Sequence, residues 1–244
     1  MKYKIFGTIM QTVNIELGEG EKVYSESGNM AWMTDNIKMD TSTRGGIWSG
    51  IKRKFAGESF FMNTFTSENG SGLITFASEY PGKVLDLKFD GKKELICQKD
   101  SFMCAEESII LDMHFRKRLG AGFFGGEGFI LQKISGEGTA FVELAGEITE
   151  MYLKEGQILK VDTGHIAMFE PTVDFDITMV SGAKNIFFGG EGLFLSTLKG
   201  PGKVWLQSMP ITNLAKKIGK YLVYGKARGN AGGGVRGIID GLGQ

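Results

Sequence analysis

The chain has 244 residues with 28 Lys plus Arg against 28 Asp plus Glu, so it carries no formal net charge. That balance gives no global pull toward nucleic acid or an anionic surface, and 42% apolar residues exclude a disordered chain. Glycine, at 37 residues against four prolines, points to many tight turns between short strands.

The first strand signal follows Gly7 directly. Val13, Ile15 and Leu17 alternate with Asn14 and Glu16, the period of a strand with one face buried and one wet. Ile37 and Met39 continue the pattern. A long Gly-rich segment follows, from Arg44-Gly45-Gly46 through Trp48 and Lys52-Arg53-Lys54 to Phe55-Ala56-Gly57-Glu58. Phe60 to Phe65 then reads as three apolar residues, two polar ones and one apolar residue. Ile109, Leu111, Met113 and Phe115 form the next alternating run, and Arg116-Lys117-Arg118 leads into Gly120 to Phe124. Val173, Phe175, Ile177 and Met179 form another, alternating with Asp174, Asp176 and Thr178. One helical pattern appears, near the C-terminus, with Ile211, Leu214, Ala215, Ile218 and Leu222 on one side and Lys216, Lys217 and Lys220 on the other. The last twenty residues hold eight glycines and read as a flexible tail, with Val235, Ile238, Ile239 and Leu242 leaving a docking role open.

These elements repeat. The hexapeptide Phe123 to Gly128 recurs unchanged at Phe187 to Gly192, and the offset of 64 holds without gaps over a long span. A third copy lies upstream. Phe60 to Phe65 falls on Phe129 to Ile134 and on Leu193 to Leu198, while Ile15, Leu17, Gly28 and Ala31 fall on Met151, Leu153, Gly164 and Ala167. The extra length of the first copy is confined to Gly-rich turns. A unit of roughly 65 residues alone would bury only about 60% of its unfolded surface. The expectation is an all-β fold of three tandem units, each a small sandwich or short double-stranded β-helix, around a pseudo-threefold axis with a short C-terminal helix. The expected division is one β body over 1–211, with repeats at about 1–83, 84–147 and 148–211, then a helix and Gly-rich tail over 212–244.

The stretches Gly45 to Gly50 and Gly57 to Asn63, the Gly-Gly-Glu-Gly repeats and the ending Val204-Trp205-Leu206-Gln207-Ser208 resemble the altered-inheritance-of-mitochondria (mitochondrial biogenesis) family over roughly residues 1–215. The chain looks like a prokaryotic domain-of-unknown-function member. The resemblance implies three units, each similar in shape to the tryptophan RNA-binding attenuator protein (TRAP-like), and further assembly into oligomers. It implies no activity, substrate, cofactor or catalytic residue, and likeness of fold does not transfer function.

The residues themselves show no catalytic constellation. His114 and His165 occupy non-equivalent columns, and with Cys97 and Cys104 they do not make a zinc set. Cys104 falls on the apolar column of Met168, which marks a core thiol. The run Gly120 to Gly125 lacks the βαβ context of a dinucleotide fingerprint. No cofactor or metal is expected. Glu58, Glu127 and Glu191 are equivalent by repeat. They stand where three carboxylates near an axis bind a cation, or where each accepts hydrogen bonds from its own turn. Two loops combine apolar and basic residues: one carries Trp48, Lys52 and Arg53, the other Arg116, Arg118 and Phe123. Each either touches a membrane surface or partner subunit, or folds back onto the body.

With two cysteines, no long apolar segment and no apolar leader at Met1 to Gly7, a cytoplasmic location is expected. The functional expectation is a non-enzymatic, homo-oligomeric assembly or scaffold protein, with peripheral membrane contact as one form of that role. The alternative is a binding module for a small ligand or RNA by analogy with the attenuator ring. Zero net charge argues against nucleic acid.

Overall fold

The computed structural model describes residues 1–26, 28–41, 62–117, 128–179 and 194–226. Among the described residues the chain is predominantly β-sheet, with one C-terminal α-helix. The alternating runs form strands for the expected reason. In β2 (Thr12–Leu17), Val13, Ile15 and Leu17 are fully buried while their neighbours are not.

β2 and β4 (Met30–Met33) flank β7 (Gly72–Ala77), and β3 (Lys22–Glu26) and β5 (Ile37–Thr41) flank β6 (Met62–Ser67), all antiparallel. An N-terminal strand, β1 (Lys2–Phe6), adds to the outside of β2. The next stretch contains β8 (Gly82–Asp90), β9 (Leu95–Gln98), β10 (Phe102–Glu106), β11 (Ile109–Lys117) and β12 (Phe129–Ala145). Here the 17-residue β12 does the work of two strands. Its C-terminal half is flanked by β8 and β10, its N-terminal half by β9 and β11. Gly136 and Gly138 take positive φ, +106° and +131°, where a side chain would be strained, and so carry the strand across from one set of partners to the other. The last stretch contains β13 (Ile148–Leu153), β14 (Ile158–Asp162), β15 (Ile166–Phe169), β16 (Asp174–Met179), β17 (Phe194–Lys199) and β18 (Gly202–Gln207). β13 and β15 flank β18, and β14 and β16 flank β17.

The same pairings therefore occur three times. Phe65, Ile134 and Leu198, one column in the sequence, lie opposite Val23, Leu95 and Leu159. Two further pairings join successive stretches: β3 with β10, and β9 with β15. They merge the middle of the chain into an 11-stranded sheet running β13-β18-β15-β9-β12-β10-β3-β6-β5, with β8 and β11 also on β12.

Three apolar cores follow the same progression. The first gathers Val13, Ile15, Leu17, Phe65 and Phe76 and receives Met103, Cys104 and Phe141 from the second stretch. The second receives Tyr24 from before it and Met168 and Trp205 from after it. The third receives Ile96, Phe129 and Leu131. Each stretch thus completes its neighbour's core, which is how marginal units gain buried area.

The helix α1 spans Ile211–Lys226. It begins one residue inside the expected β body, and Ile211, Leu214 and Ile218 on its apolar side are exposed. The amphipathic pattern is present, but among the described residues the body does not cover it. The Gly-rich tail beyond Lys226 lies outside the described residues.

Candidate functional site

The two joining seams have a common construction. In the first, Cys104 lies opposite Ser25, Ala105 opposite Tyr24, and Glu106 opposite Val23. In the second, Met168 lies opposite Cys97 and Phe169 opposite Ile96. All these residues except Glu106 are buried. Tyr24 stacks on Phe102, with ring centroids 5.6 Å apart, and its hydroxyl donates to the Ile109 carbonyl at 3.0 Å. Asn29 Nδ2 donates across the first seam to the Met103 carbonyl at 3.0 Å. Burial pushes the Cys97 thiol up to about 12 and Cys104 well above the ordinary thiol value. Thiols held protonated in this way are packing groups and poor nucleophiles, so the apolar column of Cys104 is a core column.

The strands of the seams have counterparts that lack a seam. β4 pairs with β7 as β10 pairs with β12 and β15 with β18, and all three share one irregularity. The register slips between Met30 and Trp32, between Phe102 and Cys104, and between Ile166 and Met168. A bulge at the same place in three strands turns the same residues toward the neighbouring strand. Yet β4 ends its four-stranded sheet, β1-β2-β7-β4. On the other side, β14 corresponds to β3 and β9 and ends a three-stranded sheet, β14-β17-β16. Among the described residues, neither β4 nor β14 has a strand on its outer side.

The side chains register this difference. Trp32 occupies the column of Cys104 and Met168, which are fully buried, but is itself 52% exposed. Ala31 is exposed where Met103 and Ala167 are buried. On β14, Ile158 is 57% exposed, and the exposed Lys160 stands where Tyr24 and Ile96 fill the two seams.

A second feature lies beside the seam of β9 and β15. A crevice of about 370 Å³ opens between the turn Gln98 to Ser101, Gly164, Gln207 and the first turn of α1. The buried Gln207 donates to the Gly164 carbonyl at 3.0 Å and accepts from the Ala145 N–H at 2.9 Å. In the equivalent position of the preceding stretch, Glu143 accepts from the Glu79 N–H at 3.0 Å. Glu143 is only 2% exposed. Burial raises its pKa to about 8, against the lowering effect of that hydrogen bond, and the nearby Glu79 and Asp100 raise it further.

Of the residues singled out in the sequence, Trp48, Lys52, Arg53, Arg118, Phe123, Glu58, Glu127 and Glu191 lie outside the described residues. Arg116 stands in β11 opposite Ile130. The described residues hold no group of three or more His, Cys, Asp or Glu side chains placed to bind a metal, and no helix among them is long and apolar enough to cross a membrane. Sequence reasoning missed the two uncovered edges. The only signal for them was an aromatic, Trp32, and a cation, Lys160, standing in columns that the other copies fill with core residues.

A family model described as mitochondrial biogenesis AIM24 matches residues 3–209. An uncharacterized protein of Streptococcus pyogenes serotype M6 is 28% identical over 218 residues, 86% of each chain. A crystal structure of another Streptococcus pyogenes protein superposes with a TM-score of 0.74 at 26% identity, covering 90% of this chain and 99% of that one.

Proposed function

This chain belongs to the mitochondrial biogenesis AIM24 family, and on that premise we propose that it is a non-enzymatic assembly protein that works as a homo-oligomer. The reading includes three TRAP-like units, over about 1–83, 84–147 and 148–211, related by a pseudo-threefold axis. One observation carries it: successive units are joined by backbone pairing into shared sheets, through β3 with β10 and β9 with β15. A unit that adds to its neighbour through a sheet edge is suited to building larger bodies from the same contact. The buried free thiols Cys97 and Cys104 support a reducing compartment, the cytoplasm.

The test is sedimentation equilibrium of the full chain. The expected mass is a multiple of 26.7 kDa. A monomer at every concentration refutes the reading. Peripheral membrane contact is supported by the stripe Ile211, Leu214 and Ile218, exposed among the described residues, because an apolar helix side opposite lysines is the pattern of helices that bind membrane interfaces. A second reading, a binding module for a small ligand or RNA, is favoured by the crevice beside Gln98 and Gln207. Its check is an isothermal titration with short RNA and nucleotides, in which absence of heat ends it.

A further inference from the structure

We propose that the crevice beside the seam of β9 and β15 binds a small organic ammonium ion, held between Asp100, Ser101 and the first turn of α1. The inference rests on the reading of that crevice as a ligand site and names the chemistry of its ligand. It sets RNA and nucleotides aside as occupants.

The crevice falls where the repeat breaks. Asp100 stands in the column of Gly28 and Gly164, so one copy carries a carboxylate where the other two carry no side chain. Ser101 stands in the column of Asn29 and His165. Both of those meet backbone carbonyls: Asn29 Nδ2 donates to the Met103 carbonyl at 3.0 Å, and His165 Nδ1 lies 2.8 Å from the Gln207 carbonyl oxygen. Ser101 is shorter. It is 2% exposed and lines the crevice, and its hydroxyl has no hydrogen-bond partner among the described residues. A buried hydroxyl left in this way is a group that a ligand N–H satisfies.

The walls are set by the turn and the helix. A Cβ added at Gly164 would lie 2.9 Å from Pro210 Cβ and 3.5 Å from Thr212 Oγ1. The start of α1 therefore lies directly against this turn. The crevice, about 370 Å³, falls within the range of small-molecule sites, about 300–1,000 Å³.

The lining sets the charge of the occupant. Among the described residues it contains one carboxylate, Asp100, and no Lys, Arg or His. Gln207 is already engaged: it donates to the Gly164 carbonyl and to Gln98 Oε1, and accepts from the Ala145 N–H. The Tyr80 hydroxyl is engaged too, donating to the Asp100 and Glu143 carbonyls at 3.1 and 3.2 Å. What the lining leaves for a cation is the Asp100 charge, the hydroxyls of Ser101 and Thr212, and the Tyr80 ring. Oxygen acceptors beside an aromatic ring are the groups that recognise ammonium. Glu79 and Glu143 deepen the negative field, and together with Asp100 they push the Tyr80 hydroxyl up. A phosphate would meet that field with no lysine or arginine in the lining to offset it.

The test is isothermal titration of the full chain at neutral pH with three probes: diaminobutane, which is protonated there, its uncharged isostere butanediol, and inorganic phosphate. The expected result is saturable heat from diaminobutane alone. Asp100→Asn keeps the shape and removes the charge, and is expected to weaken diaminobutane about tenfold. Ala215→Arg adds a cation at an exposed position of the lining and is expected to abolish the heat. Thermal midpoints confirm that both variants fold. Heat that survives Ala215→Arg puts the amine elsewhere and overturns the proposal, as does equal binding of diaminobutane and butanediol. If only phosphate or a nucleotide gives heat and Ala215→Arg alters it, the crevice stands as a ligand site and the ammonium chemistry falls. If no probe gives heat, both fall.

Discussion

Glu143→Gln is expected to stabilise the protein at neutral and alkaline pH and to leave it unchanged in acid. The buried carboxyl has its pKa raised from 4.5 to about 8. Between those values the folded chain holds a proton that the unfolded chain has released, so stability falls as pH rises through the window. At about 1.4 kcal/mol per pH unit, the loss reaches about 3 kcal/mol at pH 7 and about 4 kcal/mol at pH 8. Glutamine cannot ionise, and it keeps the oxygen that accepts the Glu79 N–H. Gln207 already shows the amide version of this arrangement, accepting the Ala145 N–H while donating to the Gly164 carbonyl. Urea unfolding of parent and variant, at about pH 5 and about pH 8, reads the difference directly, since the cysteines titrate alike in both. The gap should open from near zero to several kcal/mol with unchanged m. A gap independent of pH refutes the reasoning, because Glu143 then stays ionised in the fold.

Gln207→Glu is the converse. Its carboxylate would face the Gly164 carbonyl and Gln98 Oε1, costing about 1–3 kcal/mol at neutral pH and less in acid, by the same urea series. Phe141→Ala removes a fully buried ring packed edge-on against Tyr3 at 4.9 Å; urea unfolding should show a loss of about 3–5 kcal/mol. At Gly82, opposite Ala145 on β12, an added Cβ would collide with the Leu144 carbonyl oxygen. Gly82→Ala should therefore lower the thermal midpoint, at a cost of about 1–3 kcal/mol. Ile218→Ser, at an exposed helix position, should change stability by less than about 0.5 kcal/mol yet reduce flotation with anionic vesicles. Equal flotation of parent and variant removes the helix from any membrane role.

Much of the fold was legible in the sequence because its signals are local. Alternation at Val13, Ile15 and Leu17 states which face is buried, since successive side chains on a strand point to opposite sides. The repeat aligned Phe65, Ile134 and Leu198, and the strand registers place them alike. The helix was legible from its period, but not the exposure of Ile211, Leu214 and Ile218, because a pattern names an apolar side without naming what covers it. The candidate loops around Trp48 and Phe123, and the carboxylates Glu58, Glu127 and Glu191, fall outside the described residues.

The sequence by itself determined the alternating runs such as Val13 to Leu17, the recurrence of apolar columns and the core position of Cys104, although Met39, read with Ile37 as part of a buried face, is 44% exposed where Ile37 is 4%. Only the tertiary structure decided which of those columns are covered. Trp32, Cys104 and Met168 occupy one column, yet the latter two are buried and Trp32 is not. The physical reason is that a strand's own residues set its faces, whereas cover for its edge comes from a strand far away in the chain. β10 finds β3 and β15 finds β9, while β4 and β14, at the two ends of the succession, find no partner among the described residues.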